Sequence, residues 1–389
     1  MSQPLNGIRV LDLSRLLPGA YASQMLADFG ADVIKIEEPR QGDYSRGMPP
    51  YSSGGMGLYY LAVNRNKRSL TLNLKSERGR ALFLELLEHA DVLLESFRPG
   101  VLARLGLGYE QLKTRYPRLI YCAISGYGQD GPYSQRAGHD LNYAGYAGLL
   151  HYNRDEQGEP VLPATQLGDL VGGGLLAVIG ILTALFGRSQ SGQGCLVDAA
   201  MTEGILSLLP VISSIYLSTG KAPSPGYSLL DGALPCYNIY ETKDGRYVTL
   251  AALEQKFWHA FCTHVGHLEL LPFHSPVGPD ERNEAMQLLR GIFKTKTRDE
   301  WVAELAEIDA CVGPVYSLEE ALQDPHMQAR DVVQANDEFR GLRSFPRLST
   351  VDPELRYVPP HHGEQTEAIL QELGYRENEI AQMRAEGTI

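Results

Sequence analysis

Residues 8–39 read IRVLDLSRLLPGAYASQMLADFGADVIKIEEP, and the fold turns on this stretch. IRVLDL is a short apolar run of the kind that forms a buried strand, and ADVIKIEEP is a second. Between them, AYASQMLADFG (20–30) carries helical spacing. Strand, helix and strand over about thirty residues make a βαβ unit, which places two parallel strands side by side.

The pattern continues outward. SLTLNL (69–74) reads as a strand, SERGRALFLELLEHA (76–90) as a helix and DVLLESF (91–97) as a strand. YEQLKTRYPRLIYCAISGYG (109–128) repeats the unit. Such alternation implies an α/β fold with a largely parallel sheet covered by helices. Although the pattern is Rossmann-like, the first strand runs into SRLLPGAYAS rather than GxGxxG. A nicotinamide dinucleotide site is therefore disfavoured.

The Rossmann-like large domain is expected over 1–215, with 345–389 returning to it. A linker rich in Ser, Gly and Pro spans 216–232. A smaller α+β domain occupies 233–335, opening with the hairpin YNIYETKDGRYVTLAAL (237–253), whose KDGR is a tight turn. Helical patterns follow at 281–293 and 298–308, and 364–387 carries two short helices.

Composition narrows the function. The chain of 389 residues carries a net charge of −12, which argues against nucleic acid as its main partner. Five cysteines without CxxC suit a reduced, cytoplasmic setting, and the N-terminus lacks the pattern of a signal peptide. Leu170 to Gly187 is 18 residues without a charge, long enough to suggest a membrane span. It is the sole such run and opens on three glycines after an acid, so a helix buried in a soluble core is expected.

That acid, Asp169, is the one ionisable residue between Val161 and Gly187. It suits a helix N-cap, and the same position keeps a carboxylate ionised, ready to act as base or nucleophile. The glycines behind it would let a ligand approach bare amides, which would supply an oxyanion site. The second anomaly is AGHDLNYAGYAGLLHY (137–152), where His139 and Asp140 stand among small and apolar residues. A lone histidine there is more often a satisfied core residue, but an imidazole is also the commonest proton shuttle. His139 and Asp169 would meet if both lie at the carboxyl edge of the sheet. His264 and His267 lack a third ligand and read as surface. The cluster NRNKRS (64–69) with Lys75, Arg78 and Arg80 is either a solvated face or a phosphate cradle, and Arg98 stands just past a strand end, within reach of an anion.

Several stretches together resemble the class III CoA-transferase, or carnitine-dehydratase-like, family over nearly the whole chain. They are GIRVLDLSRLLPGAYASQMLADFGADVIKIEEP, NKRSLTLNLKSERG, VLLESFRPGVLARLGLGYEQL, RLIYCAISGYGQDGP, GDLVGGG and SGQGCLVDAAM. GHDLNY and ALEQKFW resemble the α-methylacyl-CoA racemase branch. The resemblance implies that His139 and Asp169 are a proton-transfer pair, with Glu254 orienting His139. It implies substrate contacts at Leu72, Asn73, Leu74, Lys75, Gly138, Asp140, Leu141, Asn142 and Tyr143, and a CoA-phosphate contact at Arg98. It also implies an interlocked homodimer, an acyl-CoA thioester as substrate, and no metal or cofactor beyond that CoA. Two departures stand out. PATQLGD offers Thr165 or Gln166 where racemases carry asparagine, and Glu38 stands where the family has a nucleotide-contacting arginine.

The expected function is racemisation or epimerisation at the α-carbon of a 2-methylacyl-CoA by two bases through an enolate, in an apolar pocket away from water. The alternative is CoA transfer between carboxylic acids through an aspartyl-CoA thioester at Asp169. A non-catalytic CoA- or nucleotide-binding protein is the third reading.

Overall fold

The structure, a computed structural model, describes residues 3–155, 157–226, 228–275, 278–336, 339–351 and 354–389. The chain divides into two compact units. Met1–Leu150, Leu162–Leu209 and Val332–Ile389 form the first; His151–Val161 and Pro210–Asp331 form the second.

The opening stretch folds as β1 (Arg9–Asp12), α1 (Pro18–Asp28) and β2 (Asp32–Glu37). Then come β3 (Lys67–Thr71), α2 (Glu77–Glu88), β4 (Val92–Glu95) and β5 (Ile120–Ser125). After β5 stand α3 (Asp140–Tyr146), the long helix α4 (Gly168–Ser191), β6 (Leu196–Ala200) and α5 (Met201–Leu206). The strands make one parallel sheet in the order β3-β2-β1-β4-β5-β6. Strands β1, β2, β4 and β5 are buried on both sides, which is why they read as continuous apolar runs rather than alternations, while the edge strand β6 leaves Leu196 and Asp198 exposed. Leu11, Ile34, Leu70 and Leu93 pack beneath α2 and the C-terminal segment, while Val10, Val33, Ile120 and Ile124 pack beneath α1 and α4. Strand order reverses between β1 and β4, and in an open parallel sheet such a switch point opens a crevice at the carboxyl ends of the strands.

The 64–69 part of the basic cluster is neither of the things expected of it, while Lys75 is exposed and Arg78 and Arg80 are half-buried. Asn64, Arg65, Asn66 and Lys67 are all buried. Arg65 pairs with Asp28 at 2.7 Å, Arg68 with Asp32 at 2.7 Å, and Lys67 donates to Asn64 Oδ1 and the Ala20 carbonyl. Charges this deep persist only with partners, and the paired acids come from α1 and β2.

Helix α4 departs from its expectation too. Ala177, Val178 and Ile181 face the core, but Ile179 and Phe186 are 58% and 69% exposed. By length and apolarity this helix is long enough to cross a membrane, yet only a third of its most apolar window is buried. Its period carries apolar residues all round, so the sheet covers one side alone.

In the second unit, α6 (Pro210–Thr219) already occupies the start of the stretch read as a linker. The hairpin β7 (Tyr237–Glu241) and β8 (Tyr247–Ala251) closes at Gly245, whose φ of +74° suits glycine in the expected tight turn. Helices α7 (Gln255–Val265), α8 (Pro279–Phe293) and α9 (Arg298–Leu305) follow, and β9 (Val312–Pro314) joins the hairpin. Trp258, Phe261, Phe293 and Trp301 form the centre of this unit's core. The chain then returns to the first unit, where α10 (Thr366–Glu372) and α11 (Glu377–Ala385) are the two short C-terminal helices.

Candidate active site

The site is assembled where α3 and α4 begin. His139 is the residue before α3, in extended geometry, and its N–H donates to Asn142 Oδ1 at 3.0 Å. Asn142 thereby closes the first turn from within, which fixes the direction of the His139 backbone. Beside it, α4 starts in helical geometry from Leu167, so Asp169 is the second residue of the helix and not its cap. The cap comes from another element: Asp140 Oδ1 accepts the Asp169 N–H at 2.9 Å. A side chain on Gly168 would meet that same oxygen at 2.9 Å, so glycine is needed for the approach.

This bond brings the starts of two helices together and sets His139 within electrostatic reach of Asp169. Burial, then the neighbouring Asp140 charge, push the Asp169 carboxyl up to about 6, with His139 pulling the other way. The sequence suggested that the helix terminus would hold this acid low; loss of hydration and a like charge outweigh the helix dipole. Asp169 thus titrates just below neutrality, where a base is still largely ionised yet basic enough to take a proton.

Three expectations require correction. The glycines after Asp169 are packing contacts rather than ligand approaches. A Cβ on Gly172 would meet the Met201 carbonyl at 2.6 Å, and one on Gly174 would meet Tyr21 at 2.9 Å. They let α1 and α5 lie directly against the first turns of α4, which are wound as a π-helix. The expected oxyanion site loses its nearest donors as well. Asp140 takes the Asp169 N–H, and the Gln166 carbonyl takes that of Leu170 at 2.9 Å. Finally, His139 is exposed in the single chain rather than enclosed in an apolar pocket. Its apolar neighbours point elsewhere: Tyr143 and Ala144 are buried beneath α3.

The remaining residues fall into groups. Tyr143 is buried, its hydroxyl donates to the Gly138 carbonyl at 2.6 Å, and its ring lies edge-on to Tyr127. Burial, then the Asp169 charge, push its phenol up to about 12, so it braces the loop before His139 as a neutral group. Gly138 is the glycine that this ring requires, since a Cβ there would sit 2.7 Å from Tyr143. Leu141 and Asn142 are exposed on α3. Arg98 is exposed after β4, close enough for its charge to act on Tyr143. At the end of β3, Leu72 is buried and its side chain faces the core, so only its backbone is available. Asn73 is tied to the C-terminal segment through its N–H to the Thr388 carbonyl at 2.8 Å, Leu74 packs on the core, and Lys75 is exposed. Glu254 lies in the second unit, exposed at the start of α7. Among the described residues there is no cluster of His, Cys, Asp or Glu fit to hold a metal. His264 and His267 pair with Glu304 and Glu269.

What sequence reasoning missed is the support under the β1–α1 loop. Lys35, fully buried, bridges Asp43 at 2.8 Å and the Ser14 carbonyl at 3.0 Å. Asp43 in turn accepts the Leu16 N–H at 3.2 Å and holds Leu16 at φ +60°. The available signal was a lysine in the middle of an apolar strand, VIKIE.

Residues 5–366 match the family model for CoA-transferase family III. The chain belongs to that family. It is 36% identical to an acyl-CoA transferase of Fusarium pseudograminearum over 99% of this chain and 88% of the relative. It is equally 36% identical to the human α-methylacyl-CoA racemase, over 99% of this chain and 97% of the relative. A solved CAIB/BAIF family protein from Brucella suis superposes with a TM-score of 0.85 at 33% identity, covering 96% of this chain and all of that one. Family III therefore contains relatives of this chain that carry both reaction names, and the chain is an enzyme of the family by membership.

Proposed function

We propose that this family III enzyme is a racemase or epimerase acting on the α-carbon of 2-methylacyl-CoA thioesters. The observation that carries the reading is the pairing of His139 and Asp169 through Asp140, with the two groups in different environments. Two titratable groups of unlike surroundings beside one another suit acid and base roles.

A thioester acidifies its α-hydrogen, and one base removes that proton from one face to leave an enolate. The conjugate acid of the other base delivers a proton to the opposite face, inverting the centre. Asp169 is the group on the buried side and His139 the group on the open side. Asp140, already engaged with the Asp169 amide, acts as their spacer rather than as a third base. Glu254 is proposed to orient His139. Arg98, Lys75 and the backbone at Leu72–Leu74 are proposed to hold the CoA.

The exposure of His139 bears on a second reading, because a carbon acid needs a base shielded from water. CoA transfer requires only Asp169, as a nucleophile forming an acyl anhydride and then an aspartyl-CoA thioester. The uncovered apolar face of α4 supports a second copy of the chain as its cover, and we propose the interlocked homodimer as the working assembly, with no membrane involved.

The His139→Ala variant, assayed for both reactions, separates the two. Racemase chemistry predicts severe loss of racemisation while one-sided α-proton exchange by Asp169 survives. CoA transfer to a free acid near the unaltered rate, with a hydroxylamine-trapped adduct at Asp169, establishes the transferase instead.

A further inference from the structure

Glu254 is given the task of orienting His139, yet nothing attached to its own side chain fixes it. It stands just before α7 in extended geometry, and its carboxylate does not cap that helix. The residue is exposed, and no hydrogen bond or ion pair holds the carboxylate among the described residues. Glu254 therefore points where its backbone directs it.

That backbone is pinned within the second unit. The Ala251 N–H donates to the Cys311 carbonyl at 2.9 Å, and the Ala252 N–H to the Cys236 carbonyl at 2.8 Å. The Leu253 N–H closes back on the Ala251 carbonyl at 3.0 Å. The last bond comes from a side chain. His274 Nε2 lies 2.8 Å from the Leu253 carbonyl, so this nitrogen carries the proton and donates it. The Leu253 carbonyl belongs to the same rigid peptide plane as the Glu254 N–H, so rotation of that plane swings the glutamate with it.

His274 is held in its turn. It ends the short 3₁₀ segment Leu268–His274, and its ring centre lies 6.2 Å from that of the buried Trp258. The Trp258 indole N–H donates to the Leu270 carbonyl at 3.2 Å, and the Cys236 thiol to the His274 carbonyl at 3.5 Å. The imidazole thus joins the core of the unit on one side to the Leu253 carbonyl on the other. A half-buried ring with its N–H bonded to backbone serves as a bracket for the turn.

We propose that His274 is a positioning residue of this enzyme: it fixes the peptide of Glu254 and, through Glu254, the orientation of His139. The inference rests on the racemase reading above and on the role proposed there for Glu254. It makes His274 act on one proton transfer of the two. Asp169 does not depend on Glu254, so loss of His274 separates the two faces of the substrate, which a general weakening of the fold does not.

The test uses variants that part the N–H from the ring. His274→Phe keeps a ring against Trp258 without the donor, His274→Gln keeps a donor without the ring, and His274→Ala keeps neither. Each is incubated in heavy water with either enantiomer of a 2-methylacyl-CoA, and deuterium entry and inversion are followed separately. In His274→Ala and His274→Phe, inversion falls roughly tenfold, within the loss that a 1 Å misplacement causes. Exchange from the enantiomer whose α-hydrogen meets His139 falls with it, while exchange from the other enantiomer stays near its original rate. KM for the thioester does not move, and His274→Gln recovers most of the loss. A His274→Phe enzyme as active as the unaltered one overturns the proposal, as does an equal loss at both faces. Glu254→Gln is the control and shows the same one-sided loss. If it leaves both faces unchanged, the role of Glu254 has failed and that of His274 with it. An unaltered enzyme that exchanges the α-hydrogen of neither enantiomer overturns the racemase reading itself.

Discussion

The Asp169 N–H donates to Asp140 Oδ1 at 2.9 Å, and through this one bond the residue after His139 caps the helix that carries Asp169. Asp140 thus plays two parts: it fixes the spacing of the proposed bases, and its charge helps raise the Asp169 carboxyl to about 6. The two parts come apart under substitution. Asp140→Asn keeps an acceptor oxygen but removes the charge, so the acidic limb of the pH–rate profile moves below about 6 with modest loss of rate. Asp140→Ala removes both and lowers kcat by roughly a hundredfold, the scale expected when a catalytic group shifts by about 1 Å. Full pH–rate profiles of both variants check this.

Asp169 also sets a stability term. Its folded carboxyl titrates at about 6, raised from 3.8 by burial and then by Asp140. Its protonated form is the one the fold prefers, so the contribution is fully present below 3.8 and is lost as pH rises through about 6. Asp169→Asn therefore stabilises the protein at pH well above 6 by about 1–2 kcal/mol, and by little in acid. Denaturant melts of the two proteins on either side of this window measure it.

Where α4 crosses α5, glycine meets glycine. A Cβ on Gly204 would lie 2.4 Å from Gly172 Cα, backbone against backbone. Gly204→Ala must push α5 away from the turn bearing Asp169, destabilising the fold by about 1–3 kcal/mol and lowering activity together. A urea melt alongside an activity assay tests the pairing of the two effects.

Beneath the β1 loop, Lys35 and Asp43 lie fully out of water. Asp43→Ala leaves a buried lysine without its carboxylate, and the loss is about 3–5 kcal/mol. Replacing both residues by apolar ones of similar size recovers most of that stability but frees the Leu16 loop. The double variant thus melts close to the unaltered protein while its KM for acyl-CoA rises.

The sequence made β1 to β5 legible because their apolar runs are largely buried and the helices between them carry their own period, and 8–39 sufficed for the first βαβ unit; the edge strand β6, with Leu196 and Asp198 exposed, carries no such run and was not read. The hairpin at 237–253 was legible from its turn residues. The site was legible only as a set of oddities: an isolated acid at 169 and a His-Asp pair at 139–140. Their meeting depends on a contact across 29 positions of sequence, which no local period encodes. The glycine run misled because packing against another helix and access for a ligand require the same missing side chain. The buried seam at 64–69 misled for a related reason, since a charged residue shows nothing of its partner until the chain has folded.

Assembly offers its own test. The exposed apolar side of α4 includes Ile179, Leu182 and Phe186. If two chains interlock over it, tagged and untagged protein mixed under native conditions form no mixed dimer until they are unfolded together and refolded. Rapid exchange contradicts an interlocked arrangement.

Two-base proton transfer at the α-carbon is the central claim, and incubation of a single enantiomer of a 2-methylacyl-CoA in heavy water with no acceptor acid tests it most directly. The account predicts deuterium at the α-carbon together with inversion, because the base that takes the protium is not the acid that returns the deuteron. An unchanged enantiomer without deuterium, paired with CoA transfer once a free carboxylic acid is supplied, would contradict it.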